Sequence, residues 1–234
     1  MKKYLLATLL FFANQLVFSQ ISSNIDTSKK ATIEIHLTNS LKKPLTKEEV
    51  IISSDNSKLN YKLITDAKGN ASVIVKTGYN YIVKLKTIGD TTTYGNIEIP
   101  AITSRQTYSS PFVLDMIYEP AKDYTFHNLE FDVAKAIIKP SSFKELDLVV
   151  EYLARKSDVS IEITGHTDNV GDDNSNKILS KQRADAVKKY LAKKGIAETR
   201  VQTIGLGATQ PIADNATLEG RQQNRRTEIK FLEK

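Results

Sequence analysis

The spacing of apolar residues changes once along this chain, near residue 120, and that change restricts the fold more than any other feature. From residue 31 to about residue 120 the apolar residues recur at alternate positions in short runs, as in Thr32-Ile33-Glu34-Ile35-His36-Leu37, Ala71-Ser72-Val73-Ile74-Val75 and Tyr81-Ile82-Val83-Lys84-Leu85. Alternation of this kind turns one face of a strand to a core and the other to water. Turn chemistry separates the runs, in Asp66-Ala67-Lys68-Gly69-Asn70 and Thr77-Gly78, and no segment shows a helical period. About seven strands in roughly ninety residues predict an antiparallel all-β sandwich over residues 31–120.

After Glu119-Pro120-Ala121-Lys122 the pattern becomes strand, helix, strand. Leu129-Glu130-Phe131 reads as the end of a strand, and Ser142-Phe143-Lys144-Glu145 has the capping-box spacing that opens a helix. Phe143, Leu146, Val150 and Leu153 share the inner face of that helix. Val159, Ile161 and Ile163 alternate as a strand, residues 176–194 form a second helix stopped by Gly195, and residues 200–205 and 227–232 supply two more strands. The prediction for residues 121–234 is an α+β domain of order β-α-β-α-β-β with a mixed sheet.

The first residues bound the compartment. Met1-Lys2-Lys3 precedes an apolar run from Tyr4 to Phe18, broken by Asn14 and Gln15, which meets the small residue Ser19 before Gln20. This is the order of a cleavable secretory signal peptide over residues 1–19, leaving a mature chain that begins at Gln20. The apolar run is shorter than the roughly 20 residues a spanning helix needs, so no membrane span is expected after cleavage. The chain contains no cysteine, which removes both a lipid attachment at the junction and any disulfide. An exported, periplasmic protein of this kind must be held together by burial alone. Residues 20–30 carry too little apolar content to pack and read as a polar tether.

The net charge of +6 falls to +4 when Lys2 and Lys3 leave with the signal. That mild excess suits an anionic polymer as well as an ordinary solvated surface. Nucleic acid is not an expected partner, because export removes the chain from it and no aromatic residues interleave with basic ones. Residues 31–120 lack the repeated strands of about ten residues that build an outer-membrane barrel, so an association with that membrane would run through a partner.

One helix carries an anomaly. At 3.6 residues per turn Asn176, Ser180, Arg183, Val187 and Leu191 fall on one stripe, with Leu179 and Tyr190 beside it. The opposite side holds Lys177, Lys181, Gln182, Asp185, Lys188 and Lys189. An arginine in an apolar stripe cannot shed its proton, so it requires a paired anion or a charged ligand. Helical side chains lean toward the N-terminus, which aims Arg183 at the loop from Gly165 to Ser175 and at Asp168 within it. Spacing alone leaves two readings open, a buried structural ion pair and a ligand site.

Gly165-His166-Thr167-Asp168-Asn169-Val170-Gly171, Asn176, Leu179-Ser180, Arg183-Ala184, Val187 and Leu191 resemble the central motif of the OmpA-like C-terminal domain family. Gly205-Leu206-Gly207, Pro211-Ile212-Ala213-Asp214-Asn215, Glu219-Gly220-Arg221 and Asn224-Arg225-Arg226-Thr227-Glu228-Ile229 continue the likeness to the end of the chain. The resemblance implies non-covalent binding of peptidoglycan through the diaminopimelate of its peptide stem. It implies that Asp168 accepts hydrogen bonds from the diaminopimelate ammonium and that Arg183 contacts the neighbouring carboxylate. Asn176 and Thr167 would line the pocket, with Phe131 and Asp132 contributing from the first strand. Here the chain departs from the family, because Val133-Ala134-Lys135-Ala136 replaces the usual small polar run.

Other chemistries fit less well. His166-x-Asp168 and Asp172-Asp173-Asn174 are close, but Asp173 and Leu179 stand where a calcium loop from Asp168 needs glycine and glutamate. Three histidines at 36, 127 and 166 offer no zinc spacing. No serine sits in a nucleophile elbow and no histidine pairs with a nucleophile, so no enzyme, cofactor or metal is expected. Asn224-Arg225-Arg226 reads as arginines tying a terminal helix to the sheet. The stretch from Ile64 to Ala71 and the run Gly78-Tyr79-Asn80-Tyr81-Ile82-Val83 resemble the transthyretin-like sandwich of carboxypeptidase regulatory-like domains. That likeness implies a spacer or docking module that meets an envelope protein partner. In an alternative reading this sandwich is the active interaction or adhesion part and the C-terminal domain only its passive anchor.

Overall fold

The computed structural model describes residues 30–55, 58–102, 107–126, 129–132 and 135–232. The expected signal peptide lies outside them, as does the tether except for Lys30, which is the first residue of a strand. The chain divides between Pro120 and Ala121 into two compact units.

The first unit contains seven strands, β1 (Lys30–Thr38), β2 (Glu49–Ser54), β3 (Asn60–Ile64), β4 (Asn70–Lys76), β5 (Tyr79–Lys86), β6 (Thr91–Ile99) and β7 (Phe112–Ile117). They form one sheet of order β4-β1-β7 and another of order β3-β2-β5-β6. Residues of both sheets, among them Ile33, Ile35, Val50, Tyr81, Ile99 and Met116, join one buried apolar cluster. Alternation produces this burial directly, since Ile33, Ile35 and Leu37 are fully buried while Thr32, Glu34 and His36 between them are not. The expected antiparallel pairing fails at one place. β1 and β7 run parallel, with Ile33 opposite Phe112 and Leu37 opposite Met116. β6 ends in one sheet and β7 begins in the other, so no hairpin constrains their relative direction.

The second unit runs β8 (Asp123–Thr125), α1 (Phe143–Arg155), β9 (Ser160–His166), α2 (Asp173–Lys193), β10 (Val201–Gly207), α3 (Leu218–Asn224) and β11 (Thr227–Leu232). Its sheet has the order β10-β9-β11-β8, with β10 parallel to β9 and β11 antiparallel to both its neighbours. The mixed sheet and both long helices match the sequence expectation, and α3 adds a third helix between the last two strands. Two further details differ. The first strand is β8, whereas Phe131 forms only a single isolated bridge to Ile138. The capping box is not made, because Ser142 ends a 3-10 turn opened by Pro140 and its hydroxyl accepts from the Glu130 amide at 2.8 Å. Glu145 instead accepts the Tyr124 hydroxyl at 2.8 Å. As a result Leu146, Val149 and Leu153 form the buried face of α1, and Phe143 is exposed and stacked on Tyr190.

α2 starts at an Asp172 cap, whose carboxylate accepts from the Ser175 amide at 2.9 Å. It stops where Gly195 adopts φ 94°, with the Ile196 amide donating to Leu191 and the Gly195 amide to Ala192. That pair of bonds is a Schellman motif, closed by the buried Ile196. The helix lies on β9 and β10. Gly165 makes this contact possible, since a Cβ there would meet the Ser180 carbonyl oxygen at 2.2 Å.

Candidate functional site

β8 and β9 finish at the same end of the sheet where β11 begins, with Thr125 opposite Glu228 and Gly165 opposite Thr227. At this end a cleft of about 890 Å³ opens, and Glu130, Phe131, Lys139, Arg183, Arg225 and Arg226 are among the residues that line it. α2 delivers Arg183 and the end of α3 delivers Arg225 and Arg226, while the loop after β9 lies behind this lining and meets it through the contact of Asp168 with Arg225.

Arg183 does not lie in the core stripe. Because Gly165 lets α2 approach closely, Ser180, Ala184 and Val187 fill the contact and Arg183 sits half-buried at its margin. Its guanidinium carbon stands 5.0 Å from the centre of the Phe131 ring, and its Nε donates to the Lys135 carbonyl at 3.2 Å. Phe131 is therefore the platform on which Arg183 rests. Burial and then the charge of Arg225 push the Arg183 pKa below that of an ordinary guanidinium, while Asp168 acts in the opposite direction. A guanidinium remains protonated at neutral pH regardless, so Arg183 keeps its charge in this half-buried place.

Asp168 takes a different partner from the one its spacing suggested. Its Oδ1 accepts the Val170 amide at 3.1 Å, and its Oδ2 accepts Nη1 of Arg225 at 2.5 Å. The carboxylate is recessed, with 11% of its side chain exposed against 44% for Arg225. The other cleft cations are paired as well, Lys139 with Glu130 at 3.2 Å and Arg226 with Glu228 at 2.6 Å. Among the described residues no carboxylate lies within ion-pair distance of Arg183, the remaining cleft cation.

The other expected site residues divide. Asn176 is buried at the start of α2 and donates to the Val170 carbonyl at 3.0 Å, so it shapes the Asp168 loop from behind. Thr167 is buried, its amide donates to Gly207, and its hydroxyl has no hydrogen-bond partner among the described residues. Asp132 spends its backbone on the reversal to Ile137, and its side chain is not part of the cleft wall. Groups capable of holding a metal ion do not cluster among the described residues.

Arg225 is the residue that sequence reasoning missed. Asn224 is fully buried and its side chain binds the Ile212 and Ala213 amides, the Ala213 carbonyl and the Asn215 side chain. This clamp fixes the end of α3, and the His166 amide then donates to the Arg226 carbonyl at 2.9 Å. Arg226 does tie the segment to the sheet through Glu228, but its neighbour is thereby delivered to the Asp168 loop. The available signal was positional, since two arginines directly before a strand that pairs with β9 cannot both face the same way.

Residues 130–225 match the model of the OmpA family. Outer membrane porin F of Pseudomonas fluorescens is 41% identical over 101 residues, covering 43% of this chain and 31% of that protein. Peptidoglycan-binding protein ArfA of Mycobacterium tuberculosis is 44% identical over 94 residues, covering 40% of this chain and 29% of that protein. The chain thus spans about a third of the length of these two relatives. Among solved structures, the cell wall anchor of the T6SS from Pseudomonas aeruginosa is similar at 32% identity and TM-score 0.41, covering 48% of this chain and 80% of that one. The stretch from residue 130 to residue 225 is an OmpA family domain.

Proposed function

We propose that this protein binds peptidoglycan non-covalently through the cleft of its OmpA family domain, and thereby anchors itself or an envelope complex to the cell wall. The role is binding without turnover. The ligand group is the diaminopimelate of the peptide stem, whose distal carbon carries an ammonium and a carboxylate together. Asp168 receives the ammonium and Arg183 the carboxylate. The observation that carries this reading is the guanidinium of Arg183, held over Phe131 at the cleft wall with no carboxylate at ion-pair distance among the described residues, yet near enough to the recessed Asp168 to feel its charge. The name of the mycobacterial relative, a peptidoglycan-binding protein, points the same way. On this reading residues 1–19 direct export to the periplasm, residues 20–30 are a tether, and residues 31–120 are a β-sandwich that spaces the anchor or meets an envelope partner. Contact with the outer membrane runs through that partner.

Sedimentation with purified sacculi tests the proposal. Asp168→Asn and Arg183→Gln each remove one charged hydrogen bond, worth roughly 1.5–3 kcal/mol, so each is expected to lower affinity by one to two orders of magnitude. Thermal melts of the same proteins establish that the fold survives. Variants that stay folded and still sediment like the parent would refute the assignment of the cleft.

A further inference from the structure

Only one oxygen of the Asp168 carboxylate is left over by its own loop, and that oxygen meets Arg225 of the cleft wall. Oδ1 is committed to the Val170 amide within its own loop at 3.1 Å. Oδ2 is covered by Nη1 of Arg225. Arg225 is the exposed member of the pair, with 44% of its side chain exposed at the cleft wall against 11% for Asp168. Its charge also acts against Arg183, so two like charges stand near one another, and the one carboxylate that both feel is bonded to Arg225.

We propose that Arg225 is a latch occupying the place of the ligand's ammonium on Asp168, which an incoming ammonium must displace before the cleft is filled. This rests on the reading of Asp168 as the ammonium acceptor and adds a self-competing step to it. Arg225 Nη1 and the ligand nitrogen are positively charged donors seeking the same recessed oxygen, and although that oxygen has two lone pairs the two cations repel each other at that range. The latch keeps a recessed carboxylate paired while the cleft is empty, and it lowers affinity by the free energy of the pair it must break. For an ion pair with one partner half-exposed that penalty corresponds to roughly two- to fivefold in affinity.

Calorimetric titration of the purified protein and its Arg225→Gln and Arg225→Lys variants with two muropeptides separates the possibilities. One muropeptide carries diaminopimelate, and the other carries lysine, which presents the ammonium without the adjacent carboxylate. A latch competes only with the ammonium, so Arg225→Gln is expected to tighten binding of both muropeptides by the same factor, about two- to fivefold. Arg225→Lys, which keeps a single charged donor, is expected to fall between the parent and Arg225→Gln. If Arg225→Gln weakens only the diaminopimelate muropeptide, Arg225 receives the ligand's carboxylate and the latch is wrong. Equal weakening of both would make Arg225 a positioning residue for Asp168, and unchanged affinities would leave it no role in binding, so either result overturns the proposal. Thermal melts of the three proteins exclude misfolding as the cause. Failure of the underlying site is separately visible, because then Asp168→Asn binds the diaminopimelate muropeptide as tightly as the parent does.

Discussion

His166 ends β9 directly before the site loop, buried, with neither ring nitrogen in a hydrogen bond among the described residues. Its Nε2 is 3.6 Å from Glu228, too far to count as a hydrogen bond. Burial pushes its pKa below 6.5, the charge of Arg226 adds to the shift, and Glu228 opposes it. The unfolded chain therefore takes up this proton at a higher pH than the folded one. Stability from neutral His166 is fully present above about pH 6.5 and is lost as pH falls from there through the depressed folded value. We expect thermal melts to drop between about pH 7 and pH 5.5, above the range where ordinary carboxylates titrate, and we expect His166→Gln to flatten that slope. Parallel slopes for the two proteins would contradict this. The same residues show how far single positions were legible. The helical period singled out Arg183 but set it in the buried stripe, whereas it sits at the margin of a contact filled by Ser180, Ala184 and Val187. The actual partner of Asp168 was not legible, because it comes from 57 residues further on and depends on the Asn224 clamp.

At the scale of elements, α2 and the sheet are set against each other by Gly165. A methyl group there would meet the Ser180 carbonyl oxygen, which is helix backbone and cannot step aside. Gly165→Ala is expected to cost about 1–3 kcal/mol or more in denaturant unfolding and to reduce binding, since α2 carries Arg183. An unchanged midpoint would mean that the helix rides the sheet more loosely than described. The far end of the domain is tied by Arg200, whose Nη2 donates to the carbonyls of Leu153, Lys156 and Val159 at 3.0, 2.6 and 2.7 Å. These include carbonyls from the C-terminal end of α1, where a cation also complements the helix dipole. Arg200→Ala is expected to destabilise by about 2 kcal/mol or more while leaving the affinity of the folded fraction intact. Long periodic segments were legible because burial dictates them, as in α2 with its Gly195 stop and in β11. The capping box was not, because Ser142 and Glu145 found partners in Glu130 and Tyr124. The third helix, only seven residues long, has no apolar period to read.

At the scale of the whole molecule, the proposed attraction to a cell wall has two conceivable sources. One is general, the net positive charge acting on an anionic polymer, and it weakens steeply with salt because surface charges are screened beyond a Debye length of about 8 Å. The other is the local one proposed above, in which the recessed Asp168 and half-buried Arg183 act on one zwitterionic carbon, and it would be screened much less. Amidation of the diaminopimelate carboxylate keeps the shape of the stem and removes the charge that Arg183 is proposed to receive. Calorimetric titration of the purified protein with the diaminopimelate muropeptide and its amidated counterpart, at low and at moderate salt, therefore tests the central claim most directly. The account requires amidation to cost about one to two orders of magnitude in affinity, and added salt to cost less than that. Equal affinity for the two muropeptides, with binding that disappears as salt is raised, would contradict it.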